Sequence, residues 1–423
     1  MNGRSAASNG HVTVVGAGAV GVCCALYLQR EGFAVRLIDR GAIGGEASRS
    51  NAALICTDDC VPLASPAVLR RVPGMLVDPL SPLAIRWSYL PALTPWLYQF
   101  IRASAPGRIE QISIALMSLL DGALDAYRCL LAEADATDLI SNSGLLYIYG
   151  SERAFGADQF AMDLRRRRGV QFEVLDQRGV AELEPILAGR SVRGVYCPGS
   201  GFTSNPHRLV GALAAHFLRA GGEFVSADVL GIEVVDNRVT SLLTTGGLYP
   251  LDRVVVAAGA WSRTIVQQLG LDIPLDTERG YLMVLPNAGV QPRLPFLVVD
   301  RHIGVTPTED GLRLAGGVEF AGLRAKPNLK RADALLRGVI PFLGDVGTRG
   351  AARWMSFRPS MPDSMPVIGW APRPRGAFFA FGHGHLGLTL AAITGRLVAE
   401  AMAGRRASVD ITPFRPGRWH GAV

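Results

Sequence analysis

The chain has 423 residues, 49% of them hydrophobic and 19% charged, which excludes a disordered protein and predicts a large core in two or three domains, or in one large domain with insertions. The formal net charge is +7, and all but two of the 43 basic residues are arginines scattered along the chain. No aromatic stacking platform accompanies them, which argues against a nucleic-acid partner and leaves open a peripheral contact with a membrane surface.

The N-terminal region predicts a βαβ unit, with a strand at residues 12–15, a helix at 19–30 and a second strand at 34–39. The nearly uncharged stretch from residue 12 to residue 28 is shorter than the ~20 residues of a membrane-spanning helix. We therefore interpret it as a buried strand and helix. The first ten residues are expected to form a frayed tail.

A glycine-rich loop, Gly16-Ala-Gly-Ala-Val-Gly21, joins the first strand to the helix. In a dinucleotide-binding loop the first glycine allows a tight turn, the second lets the backbone approach a pyrophosphate, and the third lets the helix pack on the strand. Asp39 lies 18 residues after the last glycine, near the ~20 expected of an acid that binds a ribose hydroxyl. The predicted nucleotide-binding residues of this unit are Gly16, Gly18, Ala19, Val20, Gly21, Asp39 and Arg40.

The loop alone does not separate FAD from NAD. Asp39 favours an unphosphorylated ribose, although Arg40 beside it complicates that interpretation.

Periodicity and capping signals predict the later elements of the chain. These are an amphipathic helix at 108–134, a strand at 145–149 with Ser151 capping the next helix, a helix from Asn205-Pro206 to Gly221, strands at 223–235, 238–244, 252–259, 280–285, 297–300, 304–306, 312–316 and 377–381, and a last helix from about 386 to 402. The run Arg165 to Arg168, just before Gly169, is interpreted as an ordinary helix end.

The cysteines and histidines do not indicate a metal site. The six cysteines form no CxxC pair and have no histidine partner at zinc spacing, so reduced thiols and a cytoplasmic protein, with peripheral contact at the inner membrane face left open, are expected. His383 and His385 lie two residues apart in a glycine-rich loop without a nearby carboxylate or thiol, which is poor spacing for zinc.

Six further segments follow the N-terminal unit in a characteristic order. They are Gly44-Gly-Glu-Ala-Ser-Arg-Ser-Asn-Ala52, Val254-Val-Val-Ala-Ala-Gly-Ala-Trp-Ser262, Glu278-Arg-Gly-Tyr281, Gly316-Gly-Val-Glu-Phe320, Phe357-Arg-Pro-Ser-Met-Pro-Asp-Ser-Met-Pro-Val-Ile-Gly369 and Gly382-His-Gly-His-Leu-Gly-Leu-Thr389. With residues 11–40, this set resembles the D-amino-acid oxidase superfamily of FAD-dependent oxidoreductases over nearly the whole chain. It is most similar to the bacterial D-amino-acid dehydrogenase branch, which includes enzymes acting on D-hydroxyproline.

The resemblance implies an α/β fold in which a Rossmann-like FAD-binding domain is interleaved with an α+β substrate domain built on a mostly antiparallel sheet. Nucleotide-type elements at both ends and in the middle of the chain agree with this arrangement. We expect residues 1–85, 175–262 and 354–423 to form the FAD-binding domain, and residues 86–174 and 263–353 to form the substrate domain.

The resemblance also implies non-covalent FAD, with Ser48, Asn51 and Ala52 lying along the cofactor. The backbone of Val229 would hold the adenine and Gly259 would lie close to the nucleotide, although plain core packing explains both residues from sequence alone. No cysteine follows Cys197, which removes a C-terminal cysteinyl link to the flavin.

The C-terminal loop is expected to lie against the flavin through Gly384, Gly387, Leu388 and Thr389. Its glycines allow a close approach, and free amides at the start of the last helix would stabilise the negative charge of a reduced flavin.

Arg358 is the predicted substrate residue, because the arginine of this family motif binds the substrate carboxylate through two donors. The alternative is a structural salt bridge, for example with Asp363. Tyr281 would donate a hydrogen bond to the same carboxylate or, equally, be a half-buried strand tyrosine, and His302 is expected to face the pocket. Ser356 departs from the glycine that often precedes this motif, which leaves the pocket shape open.

The function implied is oxidative deamination of D-amino acids, including D-proline or hydroxy-D-proline, by hydride transfer from Cα to flavin N5. No general base is evident from the sequence, and this mechanism does not require one. The alternatives are an oxidase of glycine, sarcosine or other N-alkyl amino acids, an FAD-holding subunit of a multi-subunit dehydrogenase, and an NAD-dependent dehydrogenase. The electron acceptor, a quinone, an electron-transfer protein or oxygen, is left open.

Overall fold

The structure is a computed structural model that describes residues 9–65, 68–69, 72, 74–75 and 81–419. Most of the expected N-terminal tail, residues 1–8, lies outside the described residues. The strands are β1 (His11–Val15), β2 (Ala34–Asp39), β3 (Leu54–Ile55), β4 (Leu83–Ile85), β5 (Ile140–Ser141), β6 (Leu145–Tyr149), β7 (Glu173–Asp176), β8 (Arg193–Cys197), β9 (Gly201–Thr203), β10 (Glu223–Ser226), β11 (Val229–Val235), β12 (Arg238–Thr244), β13 (Gly247–Pro250), β14 (Arg253–Val256), β15 (Asp276–Leu285), β16 (Phe296–Val298), β17 (Ile303–Thr308), β18 (Gly311–Phe320), β19 (Ala352–Ser360), β20 (Val367–Trp370) and β21 (Ala377–Phe381).

The α-helices begin and end where capping groups are available. Asn205, for example, accepts hydrogen bonds from the backbone N–H groups of His207 and Arg208, and Ser151 accepts one from Ala154, as the sequence predicted. The helices are α1 (Ala19–Arg30), α2 (Leu90–Ala103), α3 (Pro106–Leu120), α4 (Ala123–Glu133), α5 (Glu152–Ala157), α6 (Gln159–Arg167), α7 (Gln177–Leu183), α8 (Pro206–Arg219), α9 (Ser262–Gln268), α10 (Lys330–Leu343) and α11 (Ala391–Met402).

A six-stranded sheet carries the predicted βαβ unit. Its strand order is β10-β2-β1-β14-β21-β20, and every neighbouring pair is parallel except β21 and β20. Helices α1 and α11 pack together on this sheet, where a Cβ at Gly395 would lie 2.5 Å from the backbone oxygen of Cys23. The nearly uncharged residues 12–28 therefore form a buried strand and most of a buried helix, as predicted. No described helix is long and apolar enough to cross a membrane.

The second large sheet is mostly antiparallel. Its order is β19-β15-β18-β17-β16-β6-β8-β7, with β4 also paired to β18, and only the β16–β6 and β18–β4 pairs are parallel. Strand β15 is buried along its whole length because it lies between β18 and β19 and beneath helix α10. Two three-stranded sheets, β11-β12-β13 and β3-β9-β5, complete the fold, which is the predicted α/β class.

Three predicted elements differ from the structure. The helix expected at 108–134 is two helices, because the chain turns at Gly122, where a Cβ would lie 3.0 Å from Arg396 and 3.2 Å from Ile393 of α11. The strand expected at 223–235 is β10 in the parallel sheet followed by β11 in a separate antiparallel sheet. The last α-helix begins at Ala391, not near 386, and a short 3₁₀ turn at Gly384–Leu386 precedes it.

The sheets also show where the predicted domain segments lie. Strands β1, β2, β10, β14, β20 and β21 form the six-stranded sheet, and strands β11 to β13, which lie between β10 and β14 in the sequence, form a separate sheet. Strands β8 and β19 fall within the predicted FAD-binding segments, but both hydrogen-bond into the antiparallel sheet. The exact boundaries of 1–85, 86–174, 175–262, 263–353 and 354–423 remain a prediction.

Candidate active site

A cavity of about 950 Å³ is lined by residues of both large sheets. This volume is near the upper end of the roughly 300–1,000 Å³ typical of ligand pockets. Most of the predicted site residues line it, including Gly16, Gly18, Ala19, Val20, Asp39, Arg40, Ser48, Asn51, Ala52, Val229, Gly259, His302, Arg358, Gly384, Gly387 and Leu388. Gly21, Thr389 and Tyr281 are not part of the lining.

The glycine-rich loop has the geometry of an anion-binding turn. Gly16 has φ +107°, which an L side chain rarely adopts, and helix α1 begins without a side-chain cap at Gly18. Asp39 holds the loop, since its Oδ2 accepts from the N–H of Ala17 at 2.7 Å and its Oδ1 from the N–H of Gly41 at 2.9 Å. Gly21 acts through packing, because a Cβ there would lie 1.8 Å from the oxygen of Gly16.

Two neighbours of the loop shape the cavity wall. The Ser48 hydroxyl accepts from the N–H of Ala19 at 2.9 Å, at the first residue of the helix. The guanidinium of Arg40 stacks on the ring of Trp261 at 3.9 Å and lies 3.6 Å from Glu46, so this cation faces an aromatic wall and a carboxylate.

Arg358 is a half-buried cation that lines the cavity. Its Nη1 donates to the backbone oxygen of Gly317 at 2.8 Å, and none of the described carboxylates forms an ion pair with it. Burial lowers the pKa of Arg358, and the nearby Glu278 carboxylate offsets only part of that effect. The alternative of a salt bridge with Asp363 is excluded, because Arg418 binds that carboxylate at 2.9 and 3.2 Å.

Glycine at position 280 makes room for this guanidinium. Gly280 lies on β15 opposite Ser356 of β19, and a Cβ there would lie 2.3 Å from Cζ and Nη2 of Arg358. Ser356 itself lines the cavity, and its hydroxyl donates to the backbone oxygen of Ser50 at 3.3 Å. The strand pair therefore sets the position of Arg358 through one glycine and one backbone carbonyl.

Tyr281 points away from the lining. Its hydroxyl donates to Glu319 at 2.5 Å and accepts from the N–H of Asn328 at 3.3 Å, and its ring packs in the core beneath α10. The neighbouring Arg279 donates to the backbone oxygens of Gly322 and Ala325. The Arg-Gly-Tyr segment thus uses its two long side chains to hold the loop after β18, and the structure does not bring the Tyr281 hydroxyl to the cavity.

The two histidines of the C-terminal loop have different surroundings. His383 is buried against the hydroxyl of Thr394 at 3.0 Å, and burial lowers its pKa to about 3, so it is neutral at physiological pH. His385 lines the cavity and lies 2.7 Å from the buried carboxylate of Glu278. Burial alone would raise the pKa of Glu278, but His385, Ser360 and Arg358 together lower it.

The comparisons with known proteins agree with this geometry. A family model described as FAD dependent oxidoreductase matches residues 11–401. The chain belongs to this family.

Relatives of this FAD-dependent oxidoreductase span almost its whole length. It is 40% identical to a D-amino-acid oxidase of Bradyrhizobium diazoefficiens over 97% of this chain and 99% of the relative. It is 31% identical to a D-amino acid dehydrogenase of Agrobacterium fabrum, covering 95% and 97% of the two chains. The crystal structure of a glycine oxidase from Geobacillus kaustophilus has the same fold, with a TM-score of 0.71, 23% identity and coverage of 96% and 98%.

FAD is the cofactor of this oxidoreductase, and the residues present fit it. The uncapped start of α1 suits a pyrophosphate, and Cβ atoms at Gly259 and Gly384 would meet nothing within 4 Å, so the cavity lining is open at these two glycines. Thr389 contributes from behind the lining, since its hydroxyl accepts from the N–H of Cys56 at 3.1 Å.

The oxidoreductase also has a charged cluster at the cavity that the sequence did not reveal. Asp59 and Arg165 line the cavity, and Asp58 is buried between Arg165, Tyr147 and Ser200. Arg165 belongs to a run interpreted as a helix end, and α6 does end there, but this one arginine is almost fully buried. The sequence around Asp58 and Asp59 contains no motif that predicts such a cluster.

Proposed function

We propose that this FAD-dependent oxidoreductase oxidises D-amino acids to imino acids, with the substrate carboxylate bound by Arg358. The observation that carries the proposal is a half-buried guanidinium that forms no ion pair with the described carboxylates, in the cavity lined by most of the predicted cofactor residues. A planar guanidinium matches two carboxylate oxygens, and binding an anion would relieve the cost of burying this cation alone. The relatives named above as D-amino-acid oxidase and dehydrogenase support the substrate class.

In this proposal the chain positions the substrate and supplies its electrostatics. Arg358 holds the carboxylate, and the Gly317 oxygen together with Gly280 fixes the angle of the guanidinium. Ser48, Asn51, Ala52 and the loop Gly384–Leu388 hold the cofactor, which, when bound, supplies the two-electron acceptor for the hydrogen lost from Cα. The imino acid released then hydrolyses to a 2-oxo acid, or remains a cyclic imine when the substrate is a proline.

The test is a substrate panel followed by an arginine variant. Purified holoenzyme is mixed anaerobically with D-, L- and N-methyl amino acids while flavin bleaching is recorded. We expect D-amino acids to bleach the flavin fastest. Equal or faster bleaching by glycine, sarcosine or L-amino acids would replace the D-amino-acid proposal.

The variant Arg358→Ala isolates the carboxylate contact. Truncating one partner of a buried charge pair costs about 2–5 kcal/mol, so KM should rise by about 30- to 5,000-fold while FAD stays bound. The matched control is Arg353→Ala, five residues earlier on β19, whose exposed side chain pairs with Asp333 and which should leave KM unchanged. An unchanged KM in Arg358→Ala would contradict the proposal.

A further inference from the structure

Asp59 is a carboxylate of the cavity lining that has no hydrogen-bond or ion-pair partner among the described residues. It is half-buried, and none of the described residues forms a hydrogen bond or an ion pair with it. Two other acids of the cavity lining have hydrogen-bond partners, because Glu278 binds His385 and Ser360, and Asp158 accepts from the hydroxyl of Tyr149. A carboxylate enclosed in this way is normally paired or hydrogen-bonded.

The neighbouring residue Asp58, in contrast, has hydrogen-bond and ion-pair partners. Asp58 accepts from the hydroxyl of Tyr147 at 2.5 Å and from that of Ser200, and its Oδ2 lies 3.5 Å from Nε of Arg165. Arg165 also donates to the backbone oxygen of Asp58 at 3.3 Å. The single positive charge of Arg165 is therefore matched by Asp58, and Asp59 is the negative charge left over in this cluster.

Asp59 and Arg358 line the same cavity, together with Glu278 and His385. Arg358 of β19 lies opposite Glu278 of β15 in the strand register, and Glu278 is hydrogen-bonded to His385. His385 in turn interacts electrostatically with Asp59. The cavity thus presents one cation and one carboxylate that form no ion pair with the described residues, and these two charges complement a zwitterionic amino acid.

We propose that the carboxylate of Asp59 binds the α-amino group of the substrate whose carboxylate is held by Arg358. This inference rests on the proposed function and adds the second anchor of the same substrate. An ammonium group bound by a carboxylate in a water-poor cavity forms a charge-assisted hydrogen bond, and two anchors of opposite sign fix the direction of the amino acid between them.

The charge state of Asp59 makes the proposal testable by pH. Burial and the charge of Asp58 raise the pKa of Asp59 from 3.8 to about 6, against the opposing effects of Arg165 and His385. The thiols of Cys56 and Cys60 also face this carboxylate, and burial raises the pKa of both, so they stay neutral. Below about pH 6 Asp59 takes up a proton and loses its attraction for the ammonium group.

The first experiment uses the wild-type holoenzyme alone. KM for D-alanine and the Kd of D-lactate, which carries a hydroxyl in place of the ammonium group, are measured between about pH 5 and pH 8. We expect KM for D-alanine to rise about tenfold as the pH falls from 7 to 5, while the Kd of D-lactate, measured by calorimetry, stays within about twofold. Equal pH dependence of the two ligands would overturn the proposal.

The second experiment compares Asp59→Asn with Asp158→Asn. Asp158 also lines the cavity, but its carboxylate already accepts from Tyr149, so its amide variant is the matched control. We expect Asp59→Asn to raise KM for D-alanine at least 30-fold at about pH 7.5, to leave the Kd of D-lactate unchanged, and to lose the rise in KM at low pH. His385 is intact in this variant, so a low-pH rise that survives would belong to another group and would overturn the proposal.

The two failures are distinguishable. If no amino acid bleaches the wild-type flavin, the proposed function falls and this inference falls with it. If amino acids bleach the flavin but Asp59→Asn has the KM and the pH profile of wild type or of Asp158→Asn, only the assignment of Asp59 is wrong.

Discussion

Gly280 lies directly against the guanidinium of Arg358, so replacing it with alanine perturbs the substrate site without removing the arginine. A Cβ at this position would lie 2.3 Å from Cζ and Nη2 and 2.7 Å from Nε of Arg358. These atoms are the far end of a flexible side chain, and Gly280 has no left-handed φ, so the strand itself can accept alanine. The variant should fold, and the guanidinium should move.

The size of the movement follows from the contact distances. Ordinary contact with a Cβ begins at 3.4 Å, so the guanidinium has to shift by about 1 Å, which breaks its 2.8 Å hydrogen bond to the oxygen of Gly317. A misplacement of about 1 Å costs on the order of 100-fold in rate, or about 2.7 kcal/mol. We expect kcat/KM for D-alanine to fall about 100-fold in Gly280→Ala.

The assay combines steady-state kinetics with D-lactate calorimetry and a measurement of FAD content. FAD content and the melting temperature should stay near those of wild type, whereas the Kd of D-lactate should rise together with KM. Gly211→Ala is the matched control, because a Cβ at that exposed position on α8 would meet nothing within 4 Å. Wild-type KM and D-lactate affinity in a folded Gly280→Ala protein would refute the reasoning that the position of the guanidinium governs carboxylate binding.

Two further predictions concern the cofactor loop and the stability of the fold. Gly21→Ala should lower FAD affinity at least tenfold, because its Cβ would lie 1.8 Å from the backbone oxygen of Gly16, which cannot move aside; the ratio of flavin to protein absorbance measures this, and full occupancy would contradict it. Asp59→Asn should stabilise the apoprotein at about pH 7.5 by up to about 3 kcal/mol, since a carboxyl whose pKa rises from 3.8 to about 6 on folding destabilises the fold once it ionises. The gain should fall below about 1 kcal/mol near pH 4, where the carboxyl is protonated in the folded state and close to half protonated in the unfolded state; denaturant titrations that show an equal gain at both pH values would disprove the cause.

Local signals in the sequence predicted the elements that local forces determine. The βαβ unit follows from an apolar strand, a glycine loop and a helix stop, and its observed helix, Ala19–Arg30, has the predicted bounds. The cap at Asn205 was visible for the same reason, because its side chain bonds to N–H groups two and three residues ahead. The cavity lining gathers most of the predicted cofactor residues because the family motifs lie at the ends of the strands that meet there.

Contacts between distant segments determined what the sequence did not predict. The break at Gly122 depends on the approach of α11, more than 250 residues later. The Tyr281 side chain faces Glu319 and the loop that follows β18. The sequence motif does not specify on which face of the strand this side chain lies. Asp58 and Arg165 are 107 residues apart in the sequence. The sequence therefore could not show that Arg165 binds Asp58 and leaves Asp59 without an ion pair among the described residues.

Arg358 and Asp59 form no ion pair with the described residues, and together these opposite charges argue for a ligand more strongly than either charge does alone. Arg358 is destabilised by burial, and the raised pKa of Asp59 shows that its ionised form is destabilised as well. Elsewhere in the fold comparable charges are matched, as in the buried pair of Asp363 and Arg418. A residue kept for structure should lose stability when neutralised, whereas Asp59→Asn is expected to gain stability and lose affinity for the ammonium group. A gain in stability together with a loss of substrate affinity is expected of a group whose ionic partner is the substrate itself.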